Sequence, residues 1–366
     1  MTGPCCPPNP SPGQPNYADL DFACPTNFKM QVRLLLTDLL LLAAFGINVL
    51  AAPSAGCGKT PTLVSGTNSS LVTNNKDRQF IVQIPSAYDV QNPYPLIFTF
   101  HALGGSASQI ARGGAGTSAY YGLSALANGT AIFVSPNGQT TNIRNSLGWA
   151  NEGGEDVAFV DAILKTVSDD LCIDTSRVFS TGFSYGAAMS YALACARADV
   201  FRAVAVMSGN PLSGCDPGTK PIGYYQQHGT NDTVLSIARA TPMRDKFARL
   251  NGCQALSIEP QAAAVGIAKA VYNGCNSEFP TTWVVFDGPH TPAFRPAGSN
   301  SSFSPTEVWG FLSQFQSKNT ATNGSAGGRF SNGGAGTVTS MAPQMQGVWP
   351  LSSFLALGSI LFSYPL

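Results

Sequence analysis

Gly182-Phe183-Ser184-Tyr185-Gly186 follows the β-rich run Arg177 to Thr181 and opens a helix-compatible run from Ala187 to Arg197. A serine with small residues two before and two after it can occupy a turn so sharp that its hydroxyl stands clear of the backbone. That is how a strand-to-helix junction presents a nucleophile. In a chain with 38 glycines the pattern by itself is weak, and an ordinary turn serine is the competing reading.

An activated serine needs a base, and the chain contains 3 histidines, His101, His228 and His290. In the α/β-hydrolase fold, to which a strand, serine turn and helix point, the partners follow in the order Ser, Asp or Glu, His. His101 precedes the serine and is excluded as the base. His228 opens His228-Gly229-Thr230-Asn231-Asp232 after the apolar run Ile222 to Tyr225, and an aspartate just past a strand end is where the acid belongs. His290 remains, in the turn-rich Asp287-Gly288-Pro289-His290-Thr291-Pro292. The expected triad is Ser184, Asp232 and His290, with Asp287 as the alternative acid, and His101 and His228 are expected to be structural. His290 would take the serine proton and return one to the leaving alcohol, while Asp232 fixes the imidazole tautomer. Two backbone N–H groups should bind the oxyanion: that of Tyr185 and one from the loop His101-Ala102-Leu103-Gly104-Gly105, where Leu103 is preferred to Ala102.

Composition frames this site. The 366 residues carry no net charge and only 11% charged side chains, with no basic stripe of the kind that tracks phosphates, so nucleic acid is not an expected partner. Residues 1–29 carry no periodicity, and Met30 offers a second start. Residues 30–51 read as a secretory signal peptide: Gln31-Val32-Arg33 is basic, Leu34 to Ile47 apolar, and Val49-Leu50-Ala51 a small-residue cleavage site. The competing reading is a transmembrane anchor. Beyond it stand Cys57, Cys172, Cys195, Cys215, Cys253 and Cys275, with no C-x-x-C pair to suggest zinc. Three disulfides follow, and of the fifteen connectivities nearness favours Cys195 with Cys215 and Cys253 with Cys275, leaving Cys57 for Cys172. Asn68, Asn128, Asn300 and Asn323 are acceptor sites for N-glycans; Asn231 is another, where a glycan would crowd the site.

Residues 317–346 form a Gly/Ser/Asn-rich linker, and residues 347–366 an uncharged apolar tail, the parts of a glycolipid-anchor (GPI) signal. A retained tail is the alternative. The enzyme is therefore expected outside the cell, tethered to a membrane where the anchor is attached. A single catalytic domain should occupy residues 52–316.

Within that domain strand-like runs recur at Arg78 to Gln83, Leu96 to Phe100, Ala131 to Ser135, Arg177 to Thr181, Ala203 to Met207, Gly223 to Gln227 and Thr282 to Phe286. Helical spacing is clearest from Glu155 to Leu171, through Val157, Val160, Leu164 and Val167. The alternation predicts a mostly parallel central sheet flanked by helices, with the motifs on loops at strand ends, where ligands bind in such sheets.

From Gly56-Cys57-Gly58-Lys59 to about Phe315 the chain resembles the fungal secreted feruloyl esterases of the type C/D group. The resemblance rests on Arg78-Gln79-Phe80-Ile81, Ser135-Pro136-Asn137-Gly138, Gly148-Trp149-Ala150-Asn151, Gly153-Gly154-Glu155-Asp156, Leu171-Cys172-Ile173-Asp174, the serine pentapeptide, Leu212-Ser213-Gly214-Cys215, Asn251-Gly252-Cys253 and His290-Thr291-Pro292. It implies the α/β-hydrolase fold, the same triad, and release of ferulate from feruloylated wall arabinoxylan or a small hydroxycinnamate ester. Two departures stand out: Ala102 where the group commonly has Trp, and Ala187 where it often has Gly. Trp149 is a candidate substrate-binding residue, against a reading as a core tryptophan. Acetylated xylan or a polyhydroxyalkanoate is the alternative substrate, and a non-catalytic surface-tethered wall protein the alternative of another class. No metal cluster or phosphate loop is evident, so no cofactor is expected.

Overall fold

The computed structural model describes residues 53–114 and 116–318. The extension 1–29, the signal segment 30–51, all but the first two residues of the linker, the apolar tail and Asn323 lie outside the described residues.

The strands are β1 (Asn68–Thr73), β2 (Lys76–Gln83), β3 (Tyr94–Phe100), β4 (Ile132–Pro136), β5 (Gln139–Thr140), β6 (Leu147–Gly148), β7 (Ile173–Phe183), β8 (Ala203–Met207), β9 (Gly223–Gly229), β10 (Ile267–Val271) and β11 (Thr281–Phe286). The α-helices are α1 (Ala107–Arg112), α2 (Leu123–Ala127), α3 (Glu155–Asp170), α4 (Tyr185–Ala196), α5 (Ile237–Leu250) and α6 (Ser304–Ser313). Nine strands form one sheet in the order β1-β2-β4-β3-β7-β8-β9-β11-β10, and β5 and β6 form a separate hairpin. From β4 to β11 every neighbouring pair is parallel, while β1 and β2 at one end and β10 at the other add antiparallel pairs.

Alternation along each strand divides the core into two layers, because successive side chains leave opposite faces of a sheet. Leu96, Phe98 and Phe100 of β3, with Val204 and Val206 of β8, pack with α3, α4 and α5. Ile97 of β3 and Ala203, Ala205 and Met207 of β8 face the other way, against Ile110, Leu123 and the α6 residues Val308, Phe311 and Leu312. Both faces are covered, so the parallel strands read as continuous apolar runs.

All seven strand-like runs of the sequence fall on strands, with Ala131 alone outside, one residue before β4. β1 and β10 carried no such signal, since as edge strands their residues alternate between exposed and half-buried positions. β7 begins four residues before its apolar run, where Ile173 pairs with Tyr94 ahead of a register shift. The cysteines pair as Cys57–Cys172, Cys195–Cys215 and Cys253–Cys275.

One buried ion pair joins the sheet to α3. Arg78 of β2 and Asp156 in the first turn of α3 meet at 2.7 Å with both side chains almost fully buried, and the Arg78 guanidinium lies 4.1 Å over the Phe159 ring. Burial pushes the Asp156 carboxyl up, with Arg78 and the Asn151 N–H pulling against it. Removing one partner of such a pair leaves the other charge uncompensated. The Arg78→Met variant is expected to lose about 3–5 kcal/mol of unfolding free energy in a denaturant titration, the usual cost of breaking a buried pair.

Candidate active site

β7 ends at Phe183 and α4 begins at Tyr185, so a single residue makes the whole turn. That residue is Ser184, at φ 57 and ψ −117, a backbone conformation that an L-residue holds only under strain. Two contacts enforce it. A Cβ on Gly186 would lie 2.2 Å from the Phe100 carbonyl oxygen, and one on Gly182 would lie 2.4 Å from the Gly186 carbonyl carbon. Glycine is required at both flanks because backbone packs directly on backbone. The Ser184 N–H is anchored to the Met207 carbonyl at the end of β8.

Asp232 sits in the loop after β9, with Oδ1 accepting the N–H groups of Val234 and Leu235 at 2.9 and 2.8 Å. Its Oδ2 lies 2.6 Å from His290 Nδ1, and His290 Nε2 lies 2.8 Å from Ser184 Oγ. A carboxylate accepts, so Nδ1 carries the proton and Nε2 is left to accept from the serine hydroxyl. The Phe183 ring lies against the imidazole, with centroids 4.6 Å apart. Burial raises the Asp232 pKa, but hydrogen bonds from His228, His290 and the Leu235 N–H outweigh it and bring it down to about 2. The acid is therefore ionised at neutral pH. The arrangement can deprotonate an alcohol nucleophile and hold the resulting imidazolium.

Asp287, the alternative acid, is occupied elsewhere: it accepts from Asn231 Nδ2 at 2.6 Å and from the Val265 N–H at 2.9 Å, fastening two loops. His228 is fully buried, with Nε2 2.7 Å from the Leu235 carbonyl oxygen. His101 is also buried; its Nδ1–H donates to the Ala102 carbonyl at 2.7 Å and its Nε2 accepts the Gly138 N–H at 2.9 Å. Burial, the largest cause, lowers the His101 pKa to about 4. In the loop after β3, the Gly104 N–H goes to Leu147 and the Gly105 N–H to Ala102, which leaves the N–H groups of Ala102 and Leu103 as the ones the loop can offer an oxyanion. Tyr185 heads α4, so its N–H has no acceptor within the helix.

Trp149 does not line the site. It is 0% exposed, its indole N–H donates to the His101 carbonyl at 2.8 Å, and its ring stands edge-on to Phe100. The physical reason lies in the β5–β6 hairpin, which carries Trp149 beneath the loop that follows β3. From there a chain of bonds continues outward. Ser213 Oγ donates to the Trp149 carbonyl, Asn151 Nδ2 to the Ser213 carbonyl, and the Asn151 N–H to Asp156, the partner of Arg78. Spacing in the sequence gave no signal for this support. Among the described residues no group of three His, Cys, Asp or Glu is placed to hold a metal.

The chain is 48% identical over 283 residues to feruloyl esterase D of Neurospora crassa, covering 76% of this chain and 96% of that one. It belongs to the feruloyl esterase family. Feruloyl esterase C of Emericella nidulans is 44% identical over 279 residues, covering 76% of this esterase and 97% of the relative. The family profile described as "Putative esterase" matches residues 71–247. Among solved structures, a ferulic acid esterase from Anaeromyces mucronatus is similar at 16% identity and a TM-score of 0.47, covering 72% of this chain and 95% of that one. This protein is a carboxylic ester hydrolase.

Two outcomes are expected. Ser184→Gly should unfold at a higher denaturant concentration than Ser184→Ala, by about 1 kcal/mol, because glycine holds the turn without strain while both variants lose the same hydroxyl. For His101 the folded pKa of about 4 lies below the ordinary 6.5, so the unfolded chain binds its proton first as the pH falls. Stability should therefore decline between pH 6.5 and about 4, and a His101→Gln variant should lose that part of the slope in thermal melts over this range.

Proposed function

We propose that this esterase releases ferulate from feruloylated cell-wall polysaccharide or small hydroxycinnamate esters through an acyl-enzyme on Ser184. The observation that carries the reading is the unbroken hydrogen-bond chain Ser184–His290–Asp232 in a chain 48% identical to a feruloyl esterase. His290 takes the serine proton as Oγ attacks the ester carbonyl, and the N–H groups of Tyr185 and Leu103 receive the oxyanion. The protonated His290 then gives its proton to the departing sugar alcohol. Water, deprotonated by the same imidazole, attacks the acyl-serine and frees the acid.

The same reading places the enzyme outside the cell. Three disulfides suit an oxidising compartment. Export runs through residues 30–51 as a signal peptide, the catalytic domain spans residues 52–316, and the tail 347–366 directs a glycolipid anchor beyond the linker. Exposure of Asn68, Asn128 and Asn300 supports glycans there, with Asn323 a fourth acceptor, while Asn231 is tied to Asp287.

The test is hydrolysis of methyl ferulate and of an acetyl ester by the wild type and Ser184→Ala. Ferulate release that falls by about four to six orders of magnitude in the variant is expected, since the triad acts as a unit. Serine-dependent activity confined to acetate would keep the mechanism and replace the substrate.

A further inference from the structure

His228 is spent neither on proton transfer nor on filling the core. It stands one residue before the end of β9, wholly buried, and its Nε2 lies 2.7 Å from the Leu235 carbonyl oxygen and 3.3 Å from Asp232 Oδ2. A carbonyl oxygen only accepts, so Nε2 carries a proton. Its Nδ1 is buried with no hydrogen-bond partner among the described residues. The ring is thus in the Nε2–H tautomer, with that one proton shared between a carbonyl and the carboxylate of the triad. Asp232 Oδ1 is occupied by two backbone N–H groups, and Oδ2 faces one imidazole on each side, His290 at 2.6 Å and His228 at 3.3 Å.

We propose that His228 is a positioning residue of this esterase: its Nε2–H holds the Asp232 carboxylate toward His290 and draws off part of the charge that His290 would otherwise receive. The proposal rests on the Ser184–His290–Asp232 reading above. Two consequences follow from the geometry. Without the donor, Oδ2 is steered by His290 alone, and only the two N–H bonds at Oδ1 still oppose rotation of the carboxylate. Its full charge also falls on His290, which holds a proton more tightly beside a less satisfied carboxylate. Two further titratable groups stand at this end of the sheet: Asp287, whose carboxylate is held by Asn231 and the Val265 N–H, and His101, which is bonded to the Ala102 carbonyl and the Gly138 N–H.

The experiment compares the full chain with His228→Leu, which removes the donor, His228→Gln, whose side-chain amide restores an N–H near Nε2, Asp232→Asn, and the double variant His228→Leu/Asp232→Asn. His228→Leu should lower kcat about 10- to 100-fold, the loss of one hydrogen bond to a charged group, with KM changed less than about twofold. The acidic limb of its kcat/KM profile should move up by about half a pH unit, because His290 must be neutral to act and now stays protonated to higher pH. His228→Gln should recover most of the rate. In the Asp232→Asn background the His228→Leu change should have almost no further effect, since the two act through one contact. Equal rates for wild type and His228→Leu, or a loss that repeats undiminished in the Asp232→Asn background, would overturn the proposal. Should His228→Leu fail to fold, His228→Met, which is also apolar and carries no donor, takes its place beside His228→Gln: a loss in Met that Gln recovers upholds the donor, and equal rates for Met, Gln and wild type refute it. An Asp232→Asn variant as active as wild type would sink the triad instead, which separates the two readings.

Discussion

The close approach of α4 to the end of β3 sets everything at the site. Gly186 is so near the Phe100 carbonyl oxygen that no side chain fits between them, and Gly182 is pressed in the same way against Gly186. The turn between β7 and α4 has room for one residue, Ser184, which is forced to a positive φ. The same approach brings the loop after β3 beside the N-terminus of α4, where the Gly186 Cα faces the carbonyls of Phe100 and His101.

Ser184 sits at this junction, whereas Asp232 and His290 come from the loops after β9 and β11, beyond β8, and the three are held by different devices. Strand ends fix Ser184 and Asp232: one N–H bonds to β8, and Asp232 Oδ1 receives two N–H groups of its own loop. His290 has fewer constraints, the carboxylate on one side and the Phe183 ring against its face. The loop after β3 depends on a longer chain of contacts through Trp149, Ser213, Asn151 and Asp156 to Arg78. Its far end is a desolvated ion pair, which contributes little net stability but penalises any arrangement that separates the two charges. Such a pair specifies one position for the loop more than it stabilises the fold.

Much of this was legible beforehand, for identifiable reasons. The parallel strands are buried on both faces, so they stand out as apolar runs, and the chain order of serine, acid and base narrows three histidines to one. The edge strands β1 and β10 were silent because a strand half in water needs no apolar pattern. Trp149 was misplaced for another reason: a tryptophan can cover a core or line a pocket, and the choice depends on a two-strand hairpin too short to leave a periodic signal. The contact of His228 with Asp232 was invisible, since an i,i+4 spacing across a loop says nothing about which way either side chain turns.

The sequence by itself determined the class of fold, the one-residue serine turn between strand and helix, the chain order of Ser184, Asp232 and His290, and the six cysteines after residue 51. These depend on local chemistry: glycines that permit a sharp turn, apolar runs that must be buried, residue types that can move a proton. Tertiary structure alone decided which residues support the site. Whether a tryptophan faces substrate or core, whether Asp287 meets His290 or Asn231, and whether a buried histidine touches the acid are matters of distance between segments far apart in the chain. Burial and hydrogen-bond satisfaction settle them only when all the segments are packed at once.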